Sequence, residues 1–264
     1  MRLEFTKMEG CGNDYIYIDA VRFDVADPAA LSVRLSDRHF GIGADGLVLI
    51  GRCPEADFSM RMFNADGSEG AMCGNAARCI GKYVFDRGLT DKRSLTLSTK
   101  SGIKQLTLHT GADGLVDSVT VGMGGFRIEA EDFSVEAGDS LLRGVLVDVG
   151  NPHFVVFCPD ADVVDLRRVG PLAERHFEGG RNVEFASVRP DGSIRMRVWE
   201  RGSGVTLACG TGACATAAAA VTLGLTGSPC LLRMDGGTLQ VTCKDGTLLM
   251  NGPARTVFDG WAEV

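Results

Sequence analysis

Two stretches of this chain, 136 residues apart, decide the fold. Residues 60–64 read MRMFN and lead to Cys73-Gly74, while residues 196–200 read MRVWE and lead to Cys209-Gly210. Further residues match at this offset without a gap: Ala77 with Ala213, and residues 88–90 (GLT) with residues 224–226 (GLT). Several matches in one order at one offset indicate a duplication. Two repeats are too few for a solenoid, so we expect two similar halves.

The same secondary-structure signals recur in each half. Apolar and polar residues alternate at 58–63 and at 194–199, which predicts half-buried strands. A glycine-rich turn follows, then a helix from Cys73 to Phe85 or from Cys209 to about residue 223, with glycine at its end. The second helix is apolar on nearly every face, so we expect it to be buried all round.

The predicted fold class is therefore α+β, with two pseudo-symmetric duplicated domains. Each is a mixed β-sheet curled around a central helix, and we expect the active site in the cleft between them. We assign residues 1–112 to the N-terminal half and residues 113–251 to the C-terminal half. The last strand, in residues 252–264, is expected to rejoin the N-terminal half. Short helices are predicted near residues 29–35 and 172–176.

Composition narrows the class of protein. The chain has 264 residues, a net charge of −7 and scattered basic residues, which argues against a nucleic-acid surface. It has no apolar run long enough to cross a bilayer and no apolar signal core near its N-terminus, so we expect a cytoplasmic protein without membrane association. Its nine cysteines are odd in number and contain no C-x-x-C pair, which disfavours a disulfide framework, a zinc ribbon and a thioredoxin-like site.

Two of the nine cysteines occupy a position with special chemistry. Cys73 and Cys209 each lie at the first turn of a predicted buried helix, where backbone N–H groups lack partners and the helix dipole is positive. A thiolate is stabilised there, so we expect a lowered pKa. The same N–H groups can bind a substrate carboxylate; they belong to Gly74, Asn75, Gly210 and Thr211. With the helix starts facing one cleft, one sulfur can remove a Cα proton while the other donates a proton to the opposite face.

The alternative interpretation is a pair of buried structural cysteines, repeated because the fold was duplicated. Two other cysteines argue against it. At the 136-residue offset Cys79 corresponds to Ala215, and Cys214 corresponds to Arg78, so only the helix-start cysteines are paired.

Longer motifs resemble a known family over essentially the whole chain. They are residues 7–14 (KMEGCGND), 63–69 (FNADGSE), 73–79 (CGNAARC), 150–153 (GNPH), 182–185 (NVEF) and 200–212 (ERGSGVTLACGTG). In this order they are similar to the motifs of diaminopimelate epimerases. The resemblance implies interconversion of LL- and meso-2,6-diaminopimelate, in the routes to lysine and peptidoglycan, without pyridoxal phosphate, other cofactor or metal. It also implies a homodimer.

The resemblance further implies roles for single residues. Cys73 and Cys209 would be the two bases. The residues expected to grip the distal carboxylate are Asn64, Asn182 and Arg201. Asn13 and Asn151 would line the substrate pocket. Glu200 would lie near the distal ammonium or tune a cysteine, and His153 would influence cysteine ionisation. Gly46 departs from the pattern, because some relatives have glutamine there.

Simpler interpretations stay open for these residues. Asparagine is common beside glycines and turns for local backbone reasons, and Glu200-Arg201 is also compatible with a weak surface ion pair. Two other functions compete: a proline or hydroxyproline epimerase on the same duplicated fold, and a ligand-binding or redox-sensing protein in which Cys73 and Cys209 form a reversible disulfide.

Overall fold

The computed structural model describes residues 2–264 and divides them into two compact units. The first comprises the described residues up to Val121 together with Gly252–Val264, and the second is Gly122–Asn251. The chain therefore passes from the first unit to the second within one strand, and it returns to the first unit within another strand. From the sequence we expect the two repeats to meet between residues 112 and 113. This boundary divides the repeats of the sequence, not the two compact units, and it stays a prediction.

The first unit contains eight of its own strands and two helices. Its elements are β1 (Arg2–Gly10), β2 (Asn13–Asp19), α1 (Pro28–Ser36), β3 (Gly46–Cys53), β4 (Ala56–Asn64), β5 (Glu69–Gly70), α2 (Gly74–Asp86), β6 (Ser94–Thr99), β7 (Gly102–Thr110) and β18 (Arg255–Glu263). The strand β8 (Val116–Gly125) begins in this unit.

The second unit follows with the remaining elements. They are β9 (Arg127–Ala137), β10 (Ser140–Asp148), β11 (Pro152–Phe157), α3 (Leu166–His176), β12 (Asn182–Val188), β13 (Ile194–Glu200), β14 (Gly204–Thr206), α4 (Gly210–Thr222), β15 (Cys230–Arg233), β16 (Thr238–Lys244) and β17 (Thr247–Pro253), which ends in the first unit. A 3-10 turn covers Ala161–Val163.

The two units have the same strand pairing. In the first, the order is β18-β1-β2-β3-β4-β6-β7-β8, with β2/β3 and β4/β6 parallel and all other neighbours antiparallel. In the second, the order is β9-β10-β11-β12-β13-β15-β16-β17, with parallel pairs at β11/β12 and β13/β15. The short strands β5 and β14 pair with β4 and β13. This confirms the predicted α+β duplication.

The outermost strand of each unit has a different origin. In the second unit β9 directly precedes its neighbour β10, whereas in the first the corresponding strand is β18, from the C-terminus. Both edge strands are antiparallel to their neighbour, so the pairing is preserved although the connection is not.

A central helix of 13 residues lies against the strands of each unit. α2 packs on β1, β7 and β18, and α4 packs on β10, β11, β12 and β16. In α4 the alanine run 217–220 is fully buried, because small side chains let the surrounding strands approach on all sides. The helix starts are thereby held by packed cores, and each start carries one of the two paired cysteines.

Two elements differ from the sequence-based expectation. α3 begins at Leu166 rather than near residue 172, because Asp165 caps it by accepting a hydrogen bond from the Arg168 backbone N–H, and Pro171 lies inside it. β9 has no counterpart among the predicted strands; its apolar residues alternate, but two adjacent polar residues, Glu131 and Asp132, shift the alternation by one residue. None of the helices within residues 2–264 has the length and apolar character needed to span a bilayer.

Candidate active site

Cys73 is the N-cap residue of α2. Its backbone is extended (φ −132°, ψ 122°), and its carbonyl accepts the Ala77 N–H at 2.9 Å, which begins the helix. The thiol donates to Asn13 Oδ1 at 3.4 Å. Cys73 is half-buried, whereas Cys209 is buried.

Asn13 reaches Cys73 from the β1–β2 hairpin. The two turn residues, Cys11 and Gly12, have φ values of 57° and 80°, as in a type I′ turn. The Asn13 amide nitrogen donates to Asp45 Oδ2 at 2.8 Å, which leaves Oδ1 turned toward the cysteine. Asp45 is in turn bridged to Asp14 by the Arg38 guanidinium, at 3.0 and 2.8 Å. A surface ion network therefore orients the asparagine.

Asn75 joins the same group from the first turn of α2. Its amide nitrogen donates to Asn13 Oδ1 at 3.3 Å, and its Oδ1 accepts from Arg78 at 2.8 Å. Arg78 is fully buried and also donates to the Pro253 carbonyl at 3.1 Å. The structure thus brings together three of the predicted residues, Cys73, Asn13 and Asn75, and ties them to a buried arginine.

Asn64 lies at the end of β4, opposite Gly46 of β3. Its side-chain amide donates to Ser68 Oγ at 2.9 Å, within the turn that follows the strand. A Cβ at Gly46 would lie 2.1 Å from the Phe63 carbonyl oxygen. The backbone of this chain therefore has no room for a side chain at Gly46.

Cys209 is the N-cap residue of α4, with the same extended backbone (φ −128°, ψ 114°). Unlike Cys73 it caps its own helix, because its sulfur accepts the Gly212 N–H at 3.3 Å. The Thr211 hydroxyl lies 3.5 Å from the sulfur. Only 6% of Cys209 is exposed.

Carboxylates surround Cys209. Burial, followed by the charges of Glu200 and Glu184, raises the pKa of the Cys209 thiol well above its ordinary value, while hydrogen bonds from Thr211 and Gly212 oppose the shift. Burial also raises the pKa of the Glu200 carboxyl, which accepts a hydrogen bond from Thr206 and interacts with the Cys209 thiol. The lowered pKa expected from the helix start is therefore wrong for Cys209, because burial and two acids outweigh the helix terminus.

His153 lies beneath this helix start, fully buried on β11. Its Nδ1 is 2.7 Å from Glu184 Oε1, and its Nε2 is 3.1 Å from Asn151 Oδ1. The Asn151 amide nitrogen donates to Thr211 Oγ1 at 3.3 Å. The structure thus brings three predicted residues, Asn151, His153 and Thr211, into one hydrogen-bonded series that ends at Cys209.

Asn182 and Arg201 form a second group in this unit. Asn182 Oδ1 accepts the Arg201 backbone N–H at 2.9 Å, and its amide nitrogen donates to the Pro152 carbonyl at 3.4 Å. The exposed Arg201 guanidinium donates to the Gly179 and Gly180 carbonyls at 3.2 and 3.4 Å. The guanidinium therefore contacts the segment between α3 and β12.

Sequence reasoning missed three residues that hold these groups in place. They are Asp45 behind Asn13, Arg78 behind Asn75, and Glu184 behind His153. A signal existed for Glu184, since it is a charged residue within the apolar strand sequence of residues 182–188. Among residues 2–264, no three or more His, Cys, Asp or Glu side chains are arranged to hold a metal ion.

Comparison with known sequences identifies close relatives over the full length of the chain. The family model for diaminopimelate epimerase matches residues 5–128 and 145–257. A diaminopimelate epimerase from Phocaeicola vulgatus is 52% identical over 281 aligned residues, covering 99% of each chain. Another from Methanococcus maripaludis is 45% identical over 278 aligned residues, covering 99% of this chain and 100% of the relative.

Solved structures with the same fold are more distant in sequence. A PhzF-family phenazine biosynthesis protein from Bacillus anthracis has a TM-score of 0.77 at 16% identity and covers 100% of both chains. A hydroxyproline epimerase from Agrobacterium vitis has a TM-score of 0.70 at 18% identity, covering 98% of this chain and 92% of its own. At these identities the likeness concerns the fold alone.

Proposed function

Because the chain belongs to the diaminopimelate epimerase family and is therefore an isomerase, we propose that it interconverts LL- and meso-2,6-diaminopimelate. The reaction inverts one Cα centre and needs neither pyridoxal phosphate nor a metal. In the cell it would serve the routes to lysine and peptidoglycan in the cytoplasm, with the chain working as a homodimer.

The observation that carries this proposal is the repeated helix start. Two cysteines, 136 residues apart, each occupy the N-cap position of a 13-residue helix on the same strand framework. One sulfur, as thiolate, removes the Cα proton, and the other, as thiol, protonates the opposite face. The two roles exchange when the reaction runs in reverse.

The backbone at both helix starts supplies the electrostatic part of catalysis. Free N–H groups of Gly74, Asn75, Gly210 and Thr211 would bind the carboxylate beside the reacting carbon. Deprotonation at Cα moves negative charge onto this carboxylate, so donors fixed there stabilise the transition state more than the ground state.

The remaining polar residues would bind the rest of the substrate. We assign Asn64, Asn182 and Arg201 to the distal carboxylate, because amides and a guanidinium suit that group. Asn13 and Asn151 would line the pocket beside the reacting carbon. Glu200 and His153 would adjust the ionisation of Cys209, in keeping with the interaction between Glu200 and the thiol.

NMR of LL-diaminopimelate in D₂O tests the proposal. The reduced protein, freed of metal and pyridoxal phosphate by dialysis against chelator, should convert it to the meso isomer with loss of the Cα proton signal. L-Proline and trans-4-hydroxy-L-proline serve as matched substrates and should show no exchange. If the folded, reduced protein leaves diaminopimelate unchanged, the substrate assignment fails; exchange of a proline substrate would instead favour the related epimerases.

A further inference from the structure

Arg78 is a buried cation that the proposed two-base reaction does not use. It is 0% exposed, although burying a guanidinium costs free energy unless acceptors surround it. Its Nε donates to the Pro253 carbonyl at 3.1 Å, which joins α2 to the last segment of the first unit. Its Nη2 donates to Asn75 Oδ1 at 2.8 Å. The first contact has a structural role, and the second points toward the candidate site.

A series of hydrogen bonds runs from Arg78 to Asp45 and passes beside Cys73. After the Arg78 contact, Asn75 Nδ2 donates to Asn13 Oδ1 at 3.3 Å. Asn13 Nδ2 then donates to Asp45 Oδ2 at 2.8 Å. The Cys73 thiol donates to the same oxygen of Asn13 at 3.4 Å. Every member of the series lies in the first unit.

The two charged ends of the series fix the orientation of both amides. A guanidinium only donates hydrogen bonds, and an ionised carboxylate only accepts them. Arg78 therefore faces the oxygen of Asn75, which turns the Asn75 nitrogen toward the next amide. Asp45 faces the nitrogen of Asn13, which turns the Asn13 oxygen toward Cys73. All donors point from the cation to the anion, so neighbouring hydrogen bonds strengthen one another.

We propose that Arg78 is a positioning residue for the proposed reaction, because it sets the direction of the two amides that hold the sulfur of Cys73. Through Asn75 it keeps the oxygen of Asn13, rather than the nitrogen, facing that sulfur. This inference rests on the proposed function of Cys73. Arg78 acts only through the two asparagines and has no part in proton transfer.

Cys73 depends on a partner outside its helix. Among the described residues, the Cys73 side chain makes no hydrogen bond that caps α2, whereas Cys209 Sγ accepts the Gly212 N–H of its own helix at 3.3 Å. The Cys73 sulfur is instead held from the β1–β2 hairpin through Asn13. A base that must reach a Cα proton requires this kind of orientation, because small displacements of a reacting group cost large factors in rate.

The second unit makes the corresponding contact with the opposite polarity. In the first unit Asn75, two residues after the cysteine, donates to the asparagine of the β1–β2 hairpin. In the second unit the asparagine before β11, Asn151, donates to Thr211, which is also two residues after the cysteine, at 3.3 Å. At the 136-residue offset Cys214 stands where the first unit has Arg78. The direction of the contact therefore follows the presence of the cation.

Close packing holds the guanidinium in place. A Cβ at Gly10 would lie 3.0 Å from Arg78 Nη2 and 3.4 Å from Asn75 Cβ, so a glycine lets β1 approach the contact between them. Nη2 also lies 3.8 Å from Cys11 Sγ, in the turn of the same hairpin. The cation is thus fixed by the hairpin that carries Asn13.

NMR of the side-chain amides tests the proposal without turnover. The chain has six asparagines and two glutamines, so the NH₂ signals of the ¹⁵N-labelled, ligand-free protein are few enough to assign. We expect Arg78→Met to accelerate the exchange of the Asn75 and Asn13 NH₂ protons with water by about ten- to hundredfold, the range of one lost hydrogen bond to a charged group. The Asn182 NH₂, which donates to the Pro152 carbonyl in the second unit, is the internal reference.

Lys82→Met is the matched control. Lys82 is a largely buried cation one turn further along α2, and it donates to the Val116 carbonyl and to Asp86, both at 2.7 Å. Its replacement removes a cation and a contact with a backbone carbonyl, as Arg78→Met does, but it leaves the series intact. The exchange of both asparagine amides should therefore stay unchanged. A residue that only braced Pro253 would give this same result in Arg78→Met.

Turnover of LL-diaminopimelate gives the second readout. In Arg78→Met we expect kcat to fall by about ten- to hundredfold with KM unchanged, because the sulfur is displaced while the groups assigned to the substrate carboxylates keep their positions. Lys82→Met should retain kcat. A raised KM with unchanged kcat in Arg78→Met would overturn the proposal.

A double-mutant cycle with Asn75→Ala shows whether Arg78 acts through Asn75. In the Asn75→Ala background, Arg78→Met should change exchange at Asn13 by less than about twofold. A full effect in that background, or native exchange rates in Arg78→Met, would overturn the proposal. If Arg78→Met does not fold, Asn75→Ala alone must accelerate exchange at Asn13, and an unchanged rate would overturn it. Absence of diaminopimelate turnover by the native protein would instead fault the proposed function, whatever the exchange rates.

Discussion

The two units have the same backbone conformation at the starts of their central helices, but they differ in the charged residues beside the helix-start cysteine. Both cysteines are extended N-cap residues at the same repeat position. At the offset of 136 residues, Glu200 corresponds to Asn64 and Glu184 corresponds to Val48. Both units thus have a cysteine at the same N-cap position, as the proposed reaction requires, while side-chain substitution gave each sulfur its own surroundings.

The difference assigns a resting state to one cysteine. Burial and two carboxylates hold the pKa of Cys209 well above the ordinary thiol value, so in the ligand-free chain Cys209 is a thiol near neutral pH. Cys73 instead donates a hydrogen bond to the neutral Asn13 amide.

The largest expected effect comes from removing either sulfur. Cys73→Ser and Cys209→Ser should each lower kcat for diaminopimelate epimerisation by about 10²–10⁴-fold, because a hydroxyl is a far poorer base and acid at neutral pH. Cys243, a half-buried cysteine in β16, provides the matched control: Cys243→Ser should retain activity. A variant of either helix-start cysteine with unchanged kcat would show that the two units do not both take part.

Gly212→Ala should be the next largest effect, measured as stability. The new Cβ would meet Glu184 Oε1 at 2.7 Å, and overpacking of this kind costs about 1–3 kcal/mol. The corresponding Ala76→Gly change in the first unit opens no clash and should cost about 0.5–1 kcal/mol of helix stability. Urea unfolding of both variants checks this; an equal or reversed order would mean that Glu184 does not press on the helix start.

Glu200→Gln should change the ionisation of Cys209 by a smaller amount. Because the Glu200 charge raises the pKa of Cys209, its removal lowers that pKa. At a pH below the pKa, each tenfold rise in the thiolate fraction should accelerate alkylation by about tenfold. The pH profile of Cys209 alkylation in the native chain should have its midpoint above the ordinary thiol value and move down in the variant. No movement would leave burial and the Glu184 charge as the causes of the raised pKa.

The smallest expected effect is at Asp45. Asp45→Asn weakens the anchor of Asn13, and because the ion pair with Arg38 is largely exposed, we expect a loss in kcat of about two- to fivefold. Asp57→Asn, another surface aspartate of the first unit that pairs with Lys92 at 2.6 Å, is the control and should not affect kcat. A loss above a hundredfold would place Asp45 in direct contact with the chemistry.

Periodicity and repetition predicted most of the fold. The alternating stretches before each cysteine and the alanine-rich helix appear as β4, β13 and α4, because buried amphipathic and apolar patterns reflect packing directly. The edge strand β9 was missed although its apolar residues alternate, since the adjacent polar residues Glu131 and Asp132 interrupt the alternation. The early start of α3 was missed because the predicted helix began at residue 172, whereas Asp165 caps a helix that contains Pro171.

The sequence predicted which residues form the candidate site, but not the contacts that hold them in place. Repetition singled out Cys73 and Cys209, and motifs supplied the asparagines. The supporting residues Asp45 and Glu184 are 32 and 31 residues from Asn13 and His153, and Arg78, three residues after Asn75, was not distinguished by its position in the sequence. The direction of the Cys209 pKa shift likewise depends on how burial and two carboxylates add up against a helix terminus.

The most direct test of two-sided proton transfer is the early time course of deuterium incorporation. LL-diaminopimelate is incubated with the reduced protein in D₂O, and substrate and product are separated and weighed by mass spectrometry before a tenth of the substrate has reacted. The account predicts product that carries deuterium at the inverted carbon while the remaining substrate still carries protium. Early product that retains the original proton would contradict it, because a single sulfur would then have removed and returned that proton.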